Sequence, residues 1–303
     1  NAWEPYPVSL RIVNLIKFVL NGNFLSEKLI NSLYLQARFL RKHCEFHLMG
    51  NHLFENLKAL CFAGLFFNTA ESEKWFKFSM KQLKKQVKEQ VLIDGGHFEL
   101  SPMYHGVILE GMLDLKNLFT AYKINFPWKA QVSKMLLWLQ YMIRPNDEYS
   151  HFNDSANGVA ARPSALFSYA ARLNFVIEKM LEPAKLFGDS GYFVYTKDRI
   201  KTIIDVAKVG PDYLPGHAHA DTLSFELYVD GFPVFVNLGT SCYGDGERRF
   251  YERSTKAHNT LEINGQNSSE IWGGFRVARR VCPKKIKLSI APKQFIIEGS
   301  YPD

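Results

Sequence analysis

Apolar residues recur at helical spacing from about residue 8 to 182. In "VSLRIVNLIKFVL", Val8, Ile12, Leu15, Ile16 and Val19 fall on one broad stripe, the period of a helix with one buried face. The spacing returns around residues 26–48, 53–68, 74–92, 104–121, 127–143 and 163–181. It is interrupted at "NGN", "DGGHFELSP" and "RPNDEYSHFNDSANG", all rich in turn-forming residues. Successive helices with short joins predict helical hairpins in layers, not a parallel sheet with crossover helices. After "LEPAKLFGDSG" the texture changes. "GYFVYT", "TLSFELYVDG", "PVFVNLG" and "NTLEING" are short, rich in Val, Phe and Tyr, and punctuated by glycine; "KIKLSI" and "QFIIEG" continue the pattern. "VDGF" predicts a hairpin turn and "NGQN" the end of another strand. The pattern thus predicts a helical domain over 1–186 and an antiparallel β domain over 187–303. A sandwich needs more strands than remain, and the chain opens at "NAWEPYPVSL", so it is expected to be clipped at both ends.

Composition narrows the class. With 303 residues and 47% apolar content, the chain builds a substantial core and is neither disordered nor a cysteine-stapled miniature. Lys and Arg exceed Asp and Glu by 37 to 30, a formal charge of +7 that favours an anionic partner without choosing among nucleic acid, lipid and acidic sugar. Cys44, Cys61, Cys242 and Cys282 are widely spaced and form no paired zinc motif. No apolar run approaches the roughly 20 residues that span a bilayer. Lys74, Lys77, Lys81, Lys84, Lys85 and Lys88 follow helical spacing and read as a solvated face opposite Trp75, Leu83, Val87 and Val91. Neither a phosphate-binding glycine loop nor a nucleic-acid module is present.

The densest chemistry lies in "LPGHAHADTLSFELYVDG". In an extended chain His217, His219 and Asp221 share one face with Leu223, Phe225, Leu227 and Val229, placing a polar trio at the end of an apolar row. Such histidines bind a metal, transfer protons near neutrality, or simply tie loops to the core. Further on, "FVNLGTSCYGDGERRFYERSTKAHNTLEING" supplies Asn237, Tyr243, Tyr251 and His258, with Arg248, Arg249 and Arg253 between them. Convergence of His219 and His258 across neighbouring strands, with Asn237 on one between, gives two imidazoles and an oxygen, a donor set compatible with zinc. The arginines clamp carboxylates or are surface charge.

The helical half has its own polar breaks. Asn51 and His52 open a helix, where Asn51 is a natural N-cap and Glu55 lies one turn from His52, close enough to orient its ring. "DGGHFELSPMYHG" contributes Asp94, His97, Glu99, Tyr104 and His105, and "HFNDSANG" adds His151, Asn153 and Asp154. Loops of this kind line clefts as readily as they join helices.

Several of these segments, in this order, resemble the heparinase II/III family of polysaccharide lyases. The likeness rests on "WEPYPVSLRI", "GNHLFENLKAL", "DGGHFELSPMYH", "HFNDS", "HAHADTLSFEL", "NLGTSCYG" and "RSTKAHNTLEINGQNSSEIWGGFRVARR", and covers almost the whole chain. It is most similar to the branch associated with bacterial surface-polysaccharide loci. The resemblance implies an α+β multidomain chain: an incomplete (α/α) toroid followed by an antiparallel β-sandwich, with eliminative cleavage of an acidic glycan in the cleft between. It assigns Asn51, His52, Tyr104 and His217 to catalysis. Asn51 and His52 neutralise the carboxylate at C5 of a uronic acid, Tyr104 acts as general acid and on one sugar face also as base, and His217 is its partner. Glu55 matches an accessory acid, and either Tyr243 or Tyr251 a second cleft tyrosine. His105, Asp154 and Arg249 complete the expected substrate-binding set. His219 and His258 match two metal ligands, with Asn237 where the family usually has aspartate. An amide brings no formal charge, so a structural zinc is expected to bind weakly, and no organic cofactor is expected.

The partner so implied is an acidic polysaccharide or oligosaccharide, not nucleic acid, with no stable transmembrane segment; the oligomeric state is left open. The family setting is periplasmic or secreted, while the residues themselves leave a cytoplasmic one open. The rival to a lyase is a non-catalytic glycan-binding or surface-polysaccharide assembly protein with a lyase-like fold. A glycoside hydrolase would need a facing carboxylate pair among Glu55, Glu99 and Asp154.

Overall fold

The structure is a computed structural model and describes residues 2–178, 180, 182–291 and 294–300. Seven helices come first: α1 (Pro5–Leu20), α2 (Glu27–Lys42), α3 (Gly50–Phe66), α4 (Ala70–Gln90), α5 (Pro102–Ala121), α6 (Lys129–Met142) and α7 (Pro163–Arg172). Antiparallel sheets follow. Strands β1 (Ala184–Phe187), β2 (Tyr192–Lys197), β3 (Ile200–Asp205), β4 (Phe225–Val229) and β5 (Phe232–Phe235) form one sheet in chain order. The pairs β6 (Ile271–Gly273) with β7 (Arg276–Val277), and β8 (Lys284–Ala291) with β9 (Gln294–Ser300), are separate hairpins. The chain divides into two compact units, one of residues 1–90 and 111–128, the other of 91–110 and 129–303.

In the first unit, the stripe read from sequence is the buried face of α1: Val8, Ile12 and Ile16 are fully buried. Burying each such side chain contributes roughly 1.5–3 kcal/mol. Helix α2 buries Leu33, Ala37 and Leu40. Both helices pack on α3, which is buried around nearly its whole circumference. Gly64 sets the approach of α3 to α4, since a Cβ there would lie 2.7 Å from the backbone nitrogen of Phe76. The lysines of α4 are exposed and Trp75, Leu83 and Val87 are buried, as the spacing predicts.

The second unit centres on Leu100, Trp138, Tyr141, Met142, Phe152, Phe187, Tyr192, Val194 and Ile203. Asp94 joins its parts: one carboxylate oxygen accepts from the backbone N–H groups of Asp189 and Ser190 and from the Ser190 hydroxyl, while the other accepts from Gly96. The "VDGF" turn is present, with Asp230 and Gly231 at φ +53° and +80°, the left-handed pair a two-residue hairpin needs.

One local expectation is corrected. "NTLEING" is no strand beyond an isolated bridge between Ile263 and Gln266, because Asn264 and Gly265 both turn left-handed there. A short helix that the strand pattern does not show, α8 (Glu247–Arg253), has a buried face that carries Arg249 and Arg253, the reverse of an apolar stripe.

Candidate functional site

Ser101 precedes Pro102, which suits the first turn of α5 because proline has no N–H to satisfy. Its hydroxyl accepts the Tyr104 N–H at 3.2 Å, an N-cap bond, and donates to the Asp154 carbonyl at 2.6 Å. The 151–155 loop binds the start of α5 to the histidine segment. Asn153, at φ +54°, donates to the Leu100 carbonyl at 3.0 Å and accepts the His219 N–H at 3.1 Å. The Asp154 N–H donates to the His217 carbonyl at 2.9 Å.

The expected strand alternation of His217, His219 and Asp221 does not hold. Residues 217–224 form a loop before β4, closed by Ser224 N–H on the Asp221 carbonyl at 2.9 Å, with Leu223 at φ +63°. His217 and His219 share a partner through loop geometry instead. Asp154, fully buried, receives His217 Nδ1 on one oxygen at 2.9 Å and His219 Nε2 on the other at 2.8 Å. Arg249 grips both oxygens, at 2.7 Å on the His217 side, and the Thr240 hydroxyl donates at 2.7 Å. Burial alone would raise the Asp154 pKa; the bonds from His217, His219 and Arg249 prevail and hold it well below the usual carboxylate range. The arginine is therefore a buried bidentate clamp, not surface charge.

His217 stands between two acids, with Nε2 3.4 Å from Glu99 and Nδ1 on Asp154. Burial disfavours its charge, but Glu99 and Asp154 outweigh burial and raise its pKa. The Tyr104 ring lies over the imidazole, centres 3.9 Å apart, and its hydroxyl is 3.0 Å from that of Tyr243. Burial first, then the Tyr243 hydroxyl, keep the Tyr104 phenol protonated well beyond its ordinary range. Tyr243 is thus the tyrosine beside Tyr104. Tyr251, on α8, is about half exposed.

His219 Nδ1 faces His258 Nε2 at 3.2 Å. Burial lowers the His258 pKa to about 4. The Asn237 amide donates to Ser224 at 3.4 Å and its oxygen accepts the Asn259 N–H at 3.2 Å. Asn237 brings no formal charge and its oxygen is engaged by the Asn259 N–H, so with His219 and His258 it forms an uncharged donor set, poorer for zinc than one with a carboxylate. Among the described residues, no group of three or more His, Cys, Asp or Glu side chains is arranged to hold a metal ion.

The remaining candidates have other surroundings. Asn51 and His52 belong to the first unit. Asn51 is not the N-cap of α3, since Met49 holds that position and Asn51 lies inside the first turn. Nor does Glu55 orient His52. His52 Nδ1 meets Glu45 at 3.1 Å, and Glu55 pairs with Lys58 at 2.7 Å. His105 is sealed in the core of the second unit, stacked on Trp138 with Nε2 on the Met135 carbonyl, its pKa lowered to about 3 by burial. It has no exposed surface for a substrate. Thr240 escaped the sequence reading, and Glu99 entered it only as one acid of a loop. The clue for Glu99 was its place five residues before Tyr104.

The sequence matches the family model for the heparinase II/III N-terminus over residues 1–175 and that for the heparinase II/III-like C-terminal region over 179–299. A heparin-sulfate lyase of Pedobacter heparinus is 29% identical, the match covering 88% of this chain and 44% of that protein. One from Bacteroides stercoris is 25% identical over 99% of this chain and 50% of its own length. The chain spans about half the length of the curated relatives it matches. A crystal structure of heparinase III superposes with a TM-score of 0.80 at 23% identity, covering 96% of this chain and 50% of that one. The common fold is one of helices followed by antiparallel sheets.

Proposed function

From the premise that this chain belongs to the heparinase II/III family, we propose that it cleaves a uronic-acid-containing acidic glycan by β-elimination. The observation that carries this reading is the packing of Tyr104 over a His217 held between Glu99 and Asp154. The relatives named as heparin-sulfate lyases support it and make a glycosaminoglycan the first substrate to try. We place the helices in an incomplete (α/α) toroid and the strands in a β-sandwich on the same likeness.

Elimination removes the C5 proton, forms the C4–C5 double bond and breaks the C4–O4 bond. In the proposed mechanism, neutral His217 takes the C5 proton. Its two acid neighbours make it a stronger base than a free imidazole. Tyr104, kept as a neutral phenol, gives its proton to the departing O4. On the family likeness we assign to Asn51 and His52 the neutralising of the carboxylate, which limits charge on the enediolate-like intermediate. At His219, Asn237 and His258 we propose a weak structural ion at most, so protein purified without added zinc should hold well under one ion per chain. Stoichiometric zinc would contradict that.

The test is product formation from heparan sulfate and other acidic polysaccharides. An unsaturated uronyl end, seen by its ultraviolet absorbance, is expected. Tyr104→Phe should lower its rate by about 10²–10⁴-fold with folding intact. Saturated products would mean hydrolysis, and binding without turnover would mean a non-catalytic glycan-binding protein; either outcome overturns the lyase proposal.

A further inference from the structure

Two aromatic rings beside Tyr104 and His217 are held rigidly yet left in water. Tyr243 is 45% exposed and Phe275, in the tight turn joining β6 and β7, is 41% exposed. Their planes are within 10° of parallel, with centres 5.9 Å apart, an offset arrangement. The Arg249 guanidinium lies 5.3 Å from one ring centre and 5.4 Å from the other, itself locked by Asp154. Arg249 Nε also donates to the Gly274 carbonyl at 3.0 Å, and the Gly274 N–H donates to Asp245 at 2.6 Å. Gly274 admits no side chain, since a Cβ would lie 2.1 Å from the Gly244 carbonyl oxygen. The two loops are pressed together at that point, which fixes the pair of rings.

Such rings add little to a core, because much of each remains in solvent. Their position is informative: the Tyr243 hydroxyl is 3.0 Å from that of Tyr104, and the Phe275 ring centre is 6.5 Å from that of His217. Arg276, next in the chain, is exposed, and its side chain makes no hydrogen bond or ion pair among the described residues. A flat apolar surface with a cation nearby suits a sugar that has an apolar ring face and an anionic substituent.

We propose that Tyr243 and Phe275 form a stacking platform for a pyranose ring of the glycan, with Arg276 taking that sugar's carboxylate or sulfate. This rests on the lyase reading only for placing that sugar beside the bond to be cut; binding itself can be read without turnover. The probe is a heparan sulfate oligosaccharide titrated by calorimetry into protein carrying Tyr104→Phe, which blocks cleavage. Phe275→Ala in that background should weaken binding about tenfold, and Phe275→Tyr should restore it. Arg276→Gln should weaken it and flatten its dependence on salt. If Phe275→Ala perturbs folding in a thermal melt, Phe275→Leu keeps apolar bulk without a ring and should show the same loss. Affinity within about twofold for Phe275→Leu or Phe275→Ala, or no binding of the oligosaccharide at all, overturns the platform. The product assay on the unmodified chain reads the lyase proposal separately, so platform and chemistry can fail independently.

Discussion

Glu55 in the first unit and Asp154 in the second are both carboxylates taken out of water, and they are neutralised in opposite ways. Glu55 is answered from its own helix by Lys58, three residues on, with Nζ within 2.8 Å of both oxygens. Asp154 is answered by His217, His219, Thr240 and Arg249, from segments 63 to 95 residues away in sequence. A local pair can often be exchanged for two apolar side chains at little cost in stability. A carboxylate that holds four donors sets the geometry of all of them. The difference separates charge kept for packing from charge kept for alignment.

Asp154→Ala breaks the comparison most severely. It leaves the Arg249 guanidinium buried without a counter-charge, which costs about 3–5 kcal/mol, and it frees the His217 ring. Denaturant unfolding should show that loss. Product formation should fall by about 10²-fold or more even at temperatures where the variant is folded. Asp154→Asn, which keeps the shape and one acceptor oxygen, should be the milder of the two in both measurements. A stable, fully active Asp154→Ala would remove Asp154 from the centre of the site.

Next in size is Glu55→Ala, expected to cost about 3 kcal/mol because the buried Lys58 loses the carboxylate beside it. The double variant Glu55→Met with Lys58→Met should recover most of that loss, to within about 1 kcal/mol. Recovered stability with lost activity would show that Glu55 serves as the accessory acid of the family likeness, and the two carboxylates would then be less different than their surroundings suggest.

The same contrast governs what could be read from sequence. Helix α1 and the exposed lysines of α4 were legible because burial follows the helical period when a face meets a single layer. The "VDGF" turn was legible because only certain residues tolerate left-handed backbone. Tyr104, His217 and the His219–His258 pair were found through several motifs in order. The hub itself was not legible. Period-two reasoning placed His217 and His219 on one strand face, but the left-handed Leu223 and the turn before β4 remove that strand. Asp154 was expected to bind substrate rather than to gather His217, His219, Thr240 and Arg249, since nothing local marks a residue whose partners are remote in sequence. Helix α8 hid for a related reason: seven residues with two buried arginines carry no apolar stripe.

Glu45 sharpens the comparison at its weak end, as a carboxylate with two partners, both on α3, and a looser grip. One oxygen meets His52 Nδ1 at 3.1 Å and the other accepts the Asn56 amide at 2.9 Å; that amide also donates to Ser9 at 3.1 Å. Burial works to raise its pKa, yet the bonds from His52 and Asn56 and the nearby histidine charge prevail and lower it below the ordinary 4.5. A depressed carboxylate pKa stabilises the fold above the unfolded value, and that stability is lost as pH falls through the folded one. Glu45→Gln should therefore be less stable than the unmodified chain at neutral pH by about 1 kcal/mol. The gap should close as pH falls below about 4.5, read by parallel denaturant curves. A gap that is constant across that range would mean that shape and hydrogen bonding at this position, not charge, hold the start of α3.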